Sequence, residues 1–276
     1  MYAGKSFEKT VVFPGGAEYN EIILSGSFVV SGFRHLHSSG CTASPACLPQ
    51  NRRKTLCKQW ERKTVNMKNI LCYGDSNTFG FTLHGGRHPY DVRWTGRLQL
   101  ALGPEYRVIE EGCGGRTTVF EDPIDLGRNG RTSLPVCLAS HNPLDLVILM
   151  LGTNDMKHYF QNNAWSIGQG VAQLLHLIQT YPYAPNYSAP KVLVVSPIHI
   201  GPDVAHSPFG SFQPEAIEIS KGLAAEMQRV AEQAGCAFFD AAAVAGPCDE
   251  DSIHMDAANH AALARALEPL VHELLD

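Results

Sequence analysis

Residues 69–77 read NILCYGDSN, an apolar run followed directly by a small polar turn. A short apolar run of this kind predicts a buried strand. Ser76 stands where the run gives way to glycine and aspartate, a setting that can hold a serine on a sharp turn with its hydroxyl outward. Because open α/β sheets bind ligands at the carboxyl ends of their strands, this turn is a candidate for the site of chemistry.

The chain after residue 66 alternates apolar runs with amphipathic segments. The predicted strands are 69–73, 106–110, 145–151, 191–196 and 237–240, and the predicted helices are 92–102, 164–180, 214–234 and 257–275. Two of the strand runs are apolar throughout, which is typical of parallel strands covered on both faces. The alternation therefore predicts an α/β fold built from right-handed strand–helix–strand units.

The first 66 residues differ from the rest in charge and pattern. They carry a net charge of +5, whereas residues 67–276 carry −10, and they show no sustained hydrophobic period. Met67 opens the strand–helix pattern and could itself be a natural chain start. We predict two parts: a poorly ordered or non-native extension at 1–66 and a globular domain at 67–276. A partner-binding or targeting arm is the alternative interpretation of the extension.

Composition argues against several classes of protein. The formal net charge of −5 disfavours nucleic acid as the main partner. No stretch approaches the roughly 18 apolar residues of a membrane span, and no convincing signal peptide is present. The eight cysteines form no CxxC pair, so a zinc ribbon is not predicted. We expect a cytoplasmic protein with reduced thiols and no membrane partner.

Two later segments strengthen the case for Ser76. GTND at 152–155 follows the third predicted strand, and DSIH at 251–254 lies in the loop before the last helix. A serine hydroxyl is a weak nucleophile until a base takes its proton, and His254 can be that base. Asp251 can orient the imidazole. His260 is the competing histidine, but we expect it on the last helix and without a matching aspartate.

The developing oxyanion of such a reaction needs hydrogen-bond donors already in place. The candidates are the backbone N–H of Ser76, an N–H in the loop GCGG at 112–115 and the side-chain amide of Asn154. The same loop lacks the lysine and serine or threonine that end a phosphate-binding loop, and it lacks GxGxxG spacing. Nucleotide binding is therefore not predicted.

These segments resemble the ordered blocks of the SGNH/GDSL hydrolase family. The four blocks are matched by GDS at 74–76, the glycine loop at 112–118, GTND at 152–155 and DSIH at 251–254. The segments 91–96, 108–112, 116–118, 145–155 and 189–197 further resemble the arylesterase/acyltransferase branch. One departure is the pair Gly114-Gly115, where the family usually has serine before glycine or alanine. The likeness covers about 67–276 and does not reach 1–66.

The resemblance implies a flavodoxin-like, three-layer α/β/α fold with a five-stranded parallel sheet and no metal or organic cofactor. It implies catalysis by Ser76, Asp251 and His254, with an oxyanion hole formed by Ser76, Gly115 and Asn154. The acyl pocket is predicted to include Phe79, Phe81, Trp94, Lys157 and Ile253. Homo-oligomers, often octamers, are common in this branch, so we expect one here.

The predicted function is a serine esterase that hydrolyses short-chain aryl or alkyl esters through an acyl-enzyme. Members of the branch also transfer acyl groups to alcohols or perhydrolyse esters, so both activities are expectations here. A carbohydrate deacetylase of the acetylxylan type is the alternative on the same fold. A non-catalytic binding protein with an inherited pocket is the alternative from a different class. In each case the expected partner is a small molecule.

Overall fold

The computed structural model describes residues 8–12, 18–22, 67–84 and 86–276. The chain divides into two units, Met1–Lys63 and Thr64–Asp276. In the first unit, strands β1 (Glu8–Val12) and β2 (Glu18–Ile22) pair antiparallel. These two strands were not predicted from the sequence, because segments of five residues show too little of a period. Most of 1–66 lies outside the described residues, so the interpretation of this segment stays a prediction.

The second unit is built on one parallel sheet. Its strands are β3 (Lys68–Gly74), β4 (Tyr106–Gly112), β5 (Leu146–Met150), β6 (Lys191–Ser196) and β7 (Ala237–Asp240). Their order across the sheet is β4-β3-β5-β6-β7, and every pair is parallel. This is the flavodoxin-like order, whose ligand crevice lies where the strand order reverses. The predicted fold class is confirmed.

In the part of the chain that the structure describes, six helices accompany this sheet, five of them on its two faces and the short α1 at its carboxyl edge. They are α1 (Ser76–Phe79), α2 (Trp94–Leu102), α3 (Gly130–His141), α4 (Ala164–Thr180), α5 (Glu215–Gln233) and α6 (Ala257–Leu275). The four predicted helices are confirmed within one or two residues at each end. Two helices were not predicted from the sequence: α1 is only four residues long, and Pro135 lies inside α3, where proline usually ends a helix.

The side chains of β5 divide the core into its two layers. Val147 and Leu149 pack with α3, α4 and α5, whereas Leu146 and Ile148 pack with α2 and α6. All five residues of the strand are buried, as expected when helices cover both faces of a parallel sheet. In the part of the chain that the structure describes, no helix combines the length and the apolar character that crossing a bilayer requires.

The register of the strands aligns the ends of β3, β4 and β5 at the carboxyl edge of the sheet. Gly74 at the end of β3 pairs with Gly112 on one side and with Met150 on the other. The segments that follow these three strands therefore leave the sheet side by side. The first of them carries Ser76, the second is the glycine loop and the third contains Asn154.

Candidate active site

Ser76, His254 and Asp251 form one hydrogen-bonded chain at this edge. The Oγ atom of Ser76 lies 2.9 Å from Nε2 of His254, and Nδ1 of His254 lies 2.7 Å from Oδ2 of Asp251. All three side chains are buried. Residues 178 positions apart in the chain are thus brought within hydrogen-bond distance.

The surroundings of Asp251 determine the tautomer of the imidazole. The Oδ1 atom of Asp251 accepts hydrogen bonds from the backbone N–H groups of Ile253 and His254, each at 2.8 Å. Burial raises the pKa of Asp251, but the hydrogen bonds from His254 and Ile253 outweigh burial, and the pKa is lowered. Because an ionised carboxylate only accepts hydrogen bonds, the proton of the neutral ring lies on Nδ1. The Nε2 atom is therefore free to accept the proton of Ser76.

The turn that carries Ser76 is fixed by close backbone packing. Asp75 caps α1, its Oδ1 atom accepting the N–H of Asn77 at 2.9 Å. A Cβ atom added to Gly112 would lie 2.1 Å from the backbone nitrogen of Phe79. One added to Gly74 would lie 2.0 Å from Oγ1 of Thr78. Two glycines at the ends of neighbouring strands thus let α1 rest directly on the edge of the sheet.

The loop that carries His254 belongs to no regular element and is held by hydrogen bonds. Its internal bonds include Cys248 N–H to the His254 carbonyl at 2.7 Å. Gly201, which follows β6, donates its N–H to the carbonyl of Ser252 at 2.7 Å. Ser252 has a φ of 61°, a left-handed conformation that is uncommon for a residue with a Cβ atom. The backbone thereby turns sharply between Asp251 and His254.

The glycine loop lies beside the serine turn. Gly115 has a φ of 78°, and Arg116 N–H donates to the carbonyl of Cys113 at 3.1 Å, as in a type II turn with glycine at its third position. The Arg116 guanidinium donates to the carbonyl of Gly74 at 2.8 Å and lies over the Tyr73 ring. A buried cation therefore binds this loop to the end of β3.

Asn154 joins the third segment to the glycine loop. Its Nδ2 atom donates to the carbonyl of Arg116 at 3.2 Å, and the amide keeps a second N–H for other acceptors. The adjacent Asp155 accepts the backbone N–H of Thr118 at 3.0 Å and also the Thr118 hydroxyl. Burial raises the pKa of Asp155 to about 7, although the hydrogen bonds from Thr118 lower it. The nearby Asp75 carboxyl also raises this pKa.

Of the predicted pocket residues, Phe79 and Phe81 are partly exposed, whereas Ile253 and Trp94 are buried in the core. Phe81 lies against the His254 ring, with ring centroids 4.5 Å apart, and Phe79 is partly exposed beneath the Arg87 guanidinium at 4.3 Å. Ile253 is 1% exposed and belongs to the core. Trp94 is fully buried between the sheet and helices α2 and α6, so the structure places it in the core rather than along an open pocket.

Lys157 forms a buried ion pair rather than facing solvent. Its Nζ atom lies 2.8 Å from Oδ2 of Asp122, which also accepts the Tyr159 hydroxyl at 2.8 Å. Burial raises the pKa of Asp122, but the hydrogen bonds that it accepts from Lys157, from the backbone N–H groups of Ile124 and Asp125 and from Tyr159 together outweigh burial, so the pKa is lowered. The pair ties the segment after Asn154 to the loop that precedes α3.

Two residues near the triad are absent from the sequence predictions. Phe209 packs edge-on against His254, with centroids 5.2 Å apart, and against Phe81 at 5.8 Å. It comes from the segment between β6 and α5, which has no period to place it. The side chain of Asn77 contacts the backbone on both sides of His254. In the sequence, only the position of Asn77 directly after Ser76 indicated that it lies near the site.

His260 lies on α6 as predicted and is fully buried. Burial lowers its pKa to about 3, so the ring is neutral, and its Nδ1 atom accepts the N–H of Trp94 at 3.3 Å. It is therefore a core histidine. Among residues 67–84 and 86–276, no group of three or more His, Cys, Asp or Glu side chains is arranged to hold a metal ion.

A hydrogen-bonded serine, histidine and aspartate is typical of serine hydrolases. The model of the GDSL-like lipase/acylhydrolase family matches residues 72–262, more than half of the chain. The chain therefore belongs to this family, which confirms the resemblance found in its sequence. A comparison with curated proteins found no match.

Solved structures include two informative relatives. An aryl esterase from M. smegmatis is 42% identical, with a TM-score of 0.71, over 75% of this chain and 100% of that one. A carbohydrate acetylesterase family member from Sinorhizobium meliloti is 38% identical, with a TM-score of 0.70, over 76% of this chain and 99% of that one. The similarity thus extends to esterases with two kinds of named substrate.

Proposed function

We propose that the protein hydrolyses short-chain aryl or alkyl esters, with Ser76 as nucleophile, His254 as general base and Asp251 as the group that orients the imidazole. The single observation that carries this proposal is the 2.9 Å contact between the Ser76 hydroxyl and Nε2 of His254. It pairs a nucleophile with a base whose other nitrogen is already held by a carboxylate. That is the arrangement which activates a serine hydroxyl.

The reaction has two halves. Ser76 Oγ attacks the ester carbonyl carbon while its proton passes to His254 Nε2, giving a tetrahedral oxyanion. The N–H groups of Ser76 and Gly115 and the Asn154 amide stabilise this anion. His254 then protonates the departing alcohol as its bond to carbon breaks, which leaves Ser76 acylated. Water, activated by His254 in the same way, releases the acid.

Two observations support aryl or alkyl esters as the substrates. The rings of Phe81 and Phe209 lie against His254, the residue that must reach the oxygen of the leaving group. An apolar surface there suits an aryl or alkyl alcohol. The aryl esterase from M. smegmatis is also 42% identical to this chain. An alcohol or peroxide that competes with water for the acyl-enzyme would give the transfer and perhydrolysis expected from the sequence.

A carbohydrate deacetylase is the second candidate, favoured by the 38% identity to the S. meliloti carbohydrate acetylesterase family member. The two candidates share the acyl group and differ in the leaving group. Rates on an aryl acetate and on acetylated xylose, measured as kcat/KM, separate them. We expect the aryl acetate to be the better substrate because of the aromatic rings beside His254.

Replacement of Ser76 by alanine tests the nucleophile. We expect Ser76→Ala to lower hydrolysis of p-nitrophenyl acetate by about 10⁴-fold or more and to prevent labelling by a fluorophosphonate. The matched control is Ser196→Ala, because Ser196 is a buried serine whose hydroxyl lies 2.8 Å from the Asp240 carboxylate instead of an imidazole. Wild-type activity in folded Ser76→Ala would overturn the proposal.

A further inference from the structure

Asn77 stands directly after Ser76 and is 2% exposed. Its side chain forms two hydrogen bonds to the loop that carries His254. The Nδ2 atom donates to the carbonyl of Ile253 at 3.3 Å, and Oδ1 accepts the N–H of Met255 at 2.9 Å. The two bonds therefore engage the backbone immediately before and immediately after His254.

The other hydrogen bonds around His254 perform a different task. Those that His254 donates to Asp251 and accepts from Cys248 lie within the loop itself, so they fix the imidazole relative to Asp251. They do not fix the loop relative to Ser76. The bond from Gly201 holds the loop to the segment after β6 rather than to the serine turn. The Asn77 amide connects the loop to α1, the helix that begins with Ser76.

We propose that Asn77 is a positioning residue for proton transfer, which sets the distance between Ser76 Oγ and His254 Nε2. This inference rests on the proposed function, since it assigns a role within the same reaction. The proton must cross from Oγ to Nε2 as the bond from Oγ to the carbonyl carbon forms. A displacement of about 1 Å between reacting groups can cost about 10²-fold in rate.

Asn77→Leu is the direct test, because leucine has a similar volume and can form neither bond. We expect kcat for p-nitrophenyl acetate to fall about 10- to 100-fold while KM changes by less than about threefold. We also expect the acid limb of the pH profile to stay in place, because Asp251 still contacts the imidazole. A crystal structure of the variant should show the distance from Oγ to Nε2 lengthened beyond a hydrogen bond.

Asn77→Asp is the conservative variant, with nearly the same shape and an acceptor for the Met255 N–H. We expect it to retain more of the wild-type kcat than Asn77→Leu does. It also keeps the inference testable if the leucine variant fails to fold, because a kcat equal to that of wild type would then count against the donor bond to Ile253.

Gln99→Leu is the matched control for loss of stability. The Gln99 amide binds the backbone at Gly103, Tyr106 and Val108, near the amino end of β4 and away from the triad. We expect this variant to be destabilised with kcat unchanged. The inference is overturned if folded Asn77→Leu keeps the wild-type kcat, or if Gln99→Leu loses as much. Activity in Ser76→Ala would instead overturn the proposed function.

Discussion

The two sides of the proposed active site are held in place by different forces. On the nucleophile side, α1 rests on Gly74 and Gly112, with atoms so close that no side chain fits between them. On the base side, the loop from Asp251 to His254 lies in no helix or strand and depends on hydrogen bonds. The first arrangement is steric and the second is polar.

This difference has consequences for how each side responds to substitution. A steric contact within a close-packed region cannot be relieved without moving the backbone. A hydrogen-bonded loop can keep its shape while the chemistry of one atom changes. Substitutions on the base side should therefore alter activity with little loss of stability, whereas those on the nucleophile side should alter both.

Among the substitutions that compare the two sides, Asp251→Asn should produce the largest effect, and it tests the base side. The asparagine oxygen can keep the bonds to the Ile253 and His254 N–H groups, while its NH₂ group replaces Oδ2. That group donates to Nδ1 of His254, so the ring proton moves to Nε2 and the base is lost. We expect kcat to fall about 10³- to 10⁴-fold with little change in melting temperature. An activity within tenfold of wild type would contradict the assignment of Asp251.

Gly112→Ala tests the nucleophile side. Its Cβ atom would meet the backbone of Phe79, so α1 and Ser76 must shift. We expect the free energy of unfolding to drop by about 1–3 kcal/mol and kcat to fall by about tenfold or more. Gly246→Ala is the control, since a Cβ atom there meets nothing within 4 Å. Equal effects in the two variants, by urea denaturation and kinetics, would argue against a steric support.

Asp155→Asn has the smallest expected effect on activity and adds a third region to the comparison. The pKa of Asp155 is raised to about 7, so between about pH 4 and pH 7 the unfolded chain ionises this group while the folded chain does not. Its contribution to stability is therefore present at low pH and lost as the pH rises. We expect the stability of wild type relative to Asp155→Asn to fall over this range by a few kcal/mol, at about 1.4 kcal/mol per unit of pKa shift.

Thermal unfolding of both proteins at several pH values provides the measurement. Taking the difference between the two proteins removes the titration of groups that they share. A difference that stays constant from pH 4 to pH 7 would mean that Asp155 is ionised in the folded protein. The hydrogen bonds from Thr118 would then dominate over burial.

The sequence was informative where residues near each other in the chain determine structure. Apolar runs such as 146–151 predict the strands, and polar residues after them predict the edge where Ser76, Asn154 and His254 gather. Phe209 and Asn77 could not be assigned in this way. Their contacts with the histidine loop arise only when distant segments pack together, and neither contact has a periodic pattern.

Trp94 was predicted to line the pocket, but the structure places it in the core. Its aromatic side chain and its place in a segment that resembles the family made it a candidate for the pocket. Side chains at the start of a helix can face either the site or the sheet, and the sequence does not distinguish the two. The structure buries Trp94 against the sheet with Leu98, four residues later on the same face of α2.

The pairing of Gly74 with Gly112 links the position of Ser76 to the alignment of two strands. If β4 slipped by one residue, Glu111 or Cys113 would take the place of Gly112, and the Cβ atom of either would occupy the space of α1. A misaligned sheet could therefore not form a working serine turn. Enzymatic assay of refolded protein would then count only correctly aligned molecules, and any transplant of this turn to another scaffold must bring both glycine-ended strands with it.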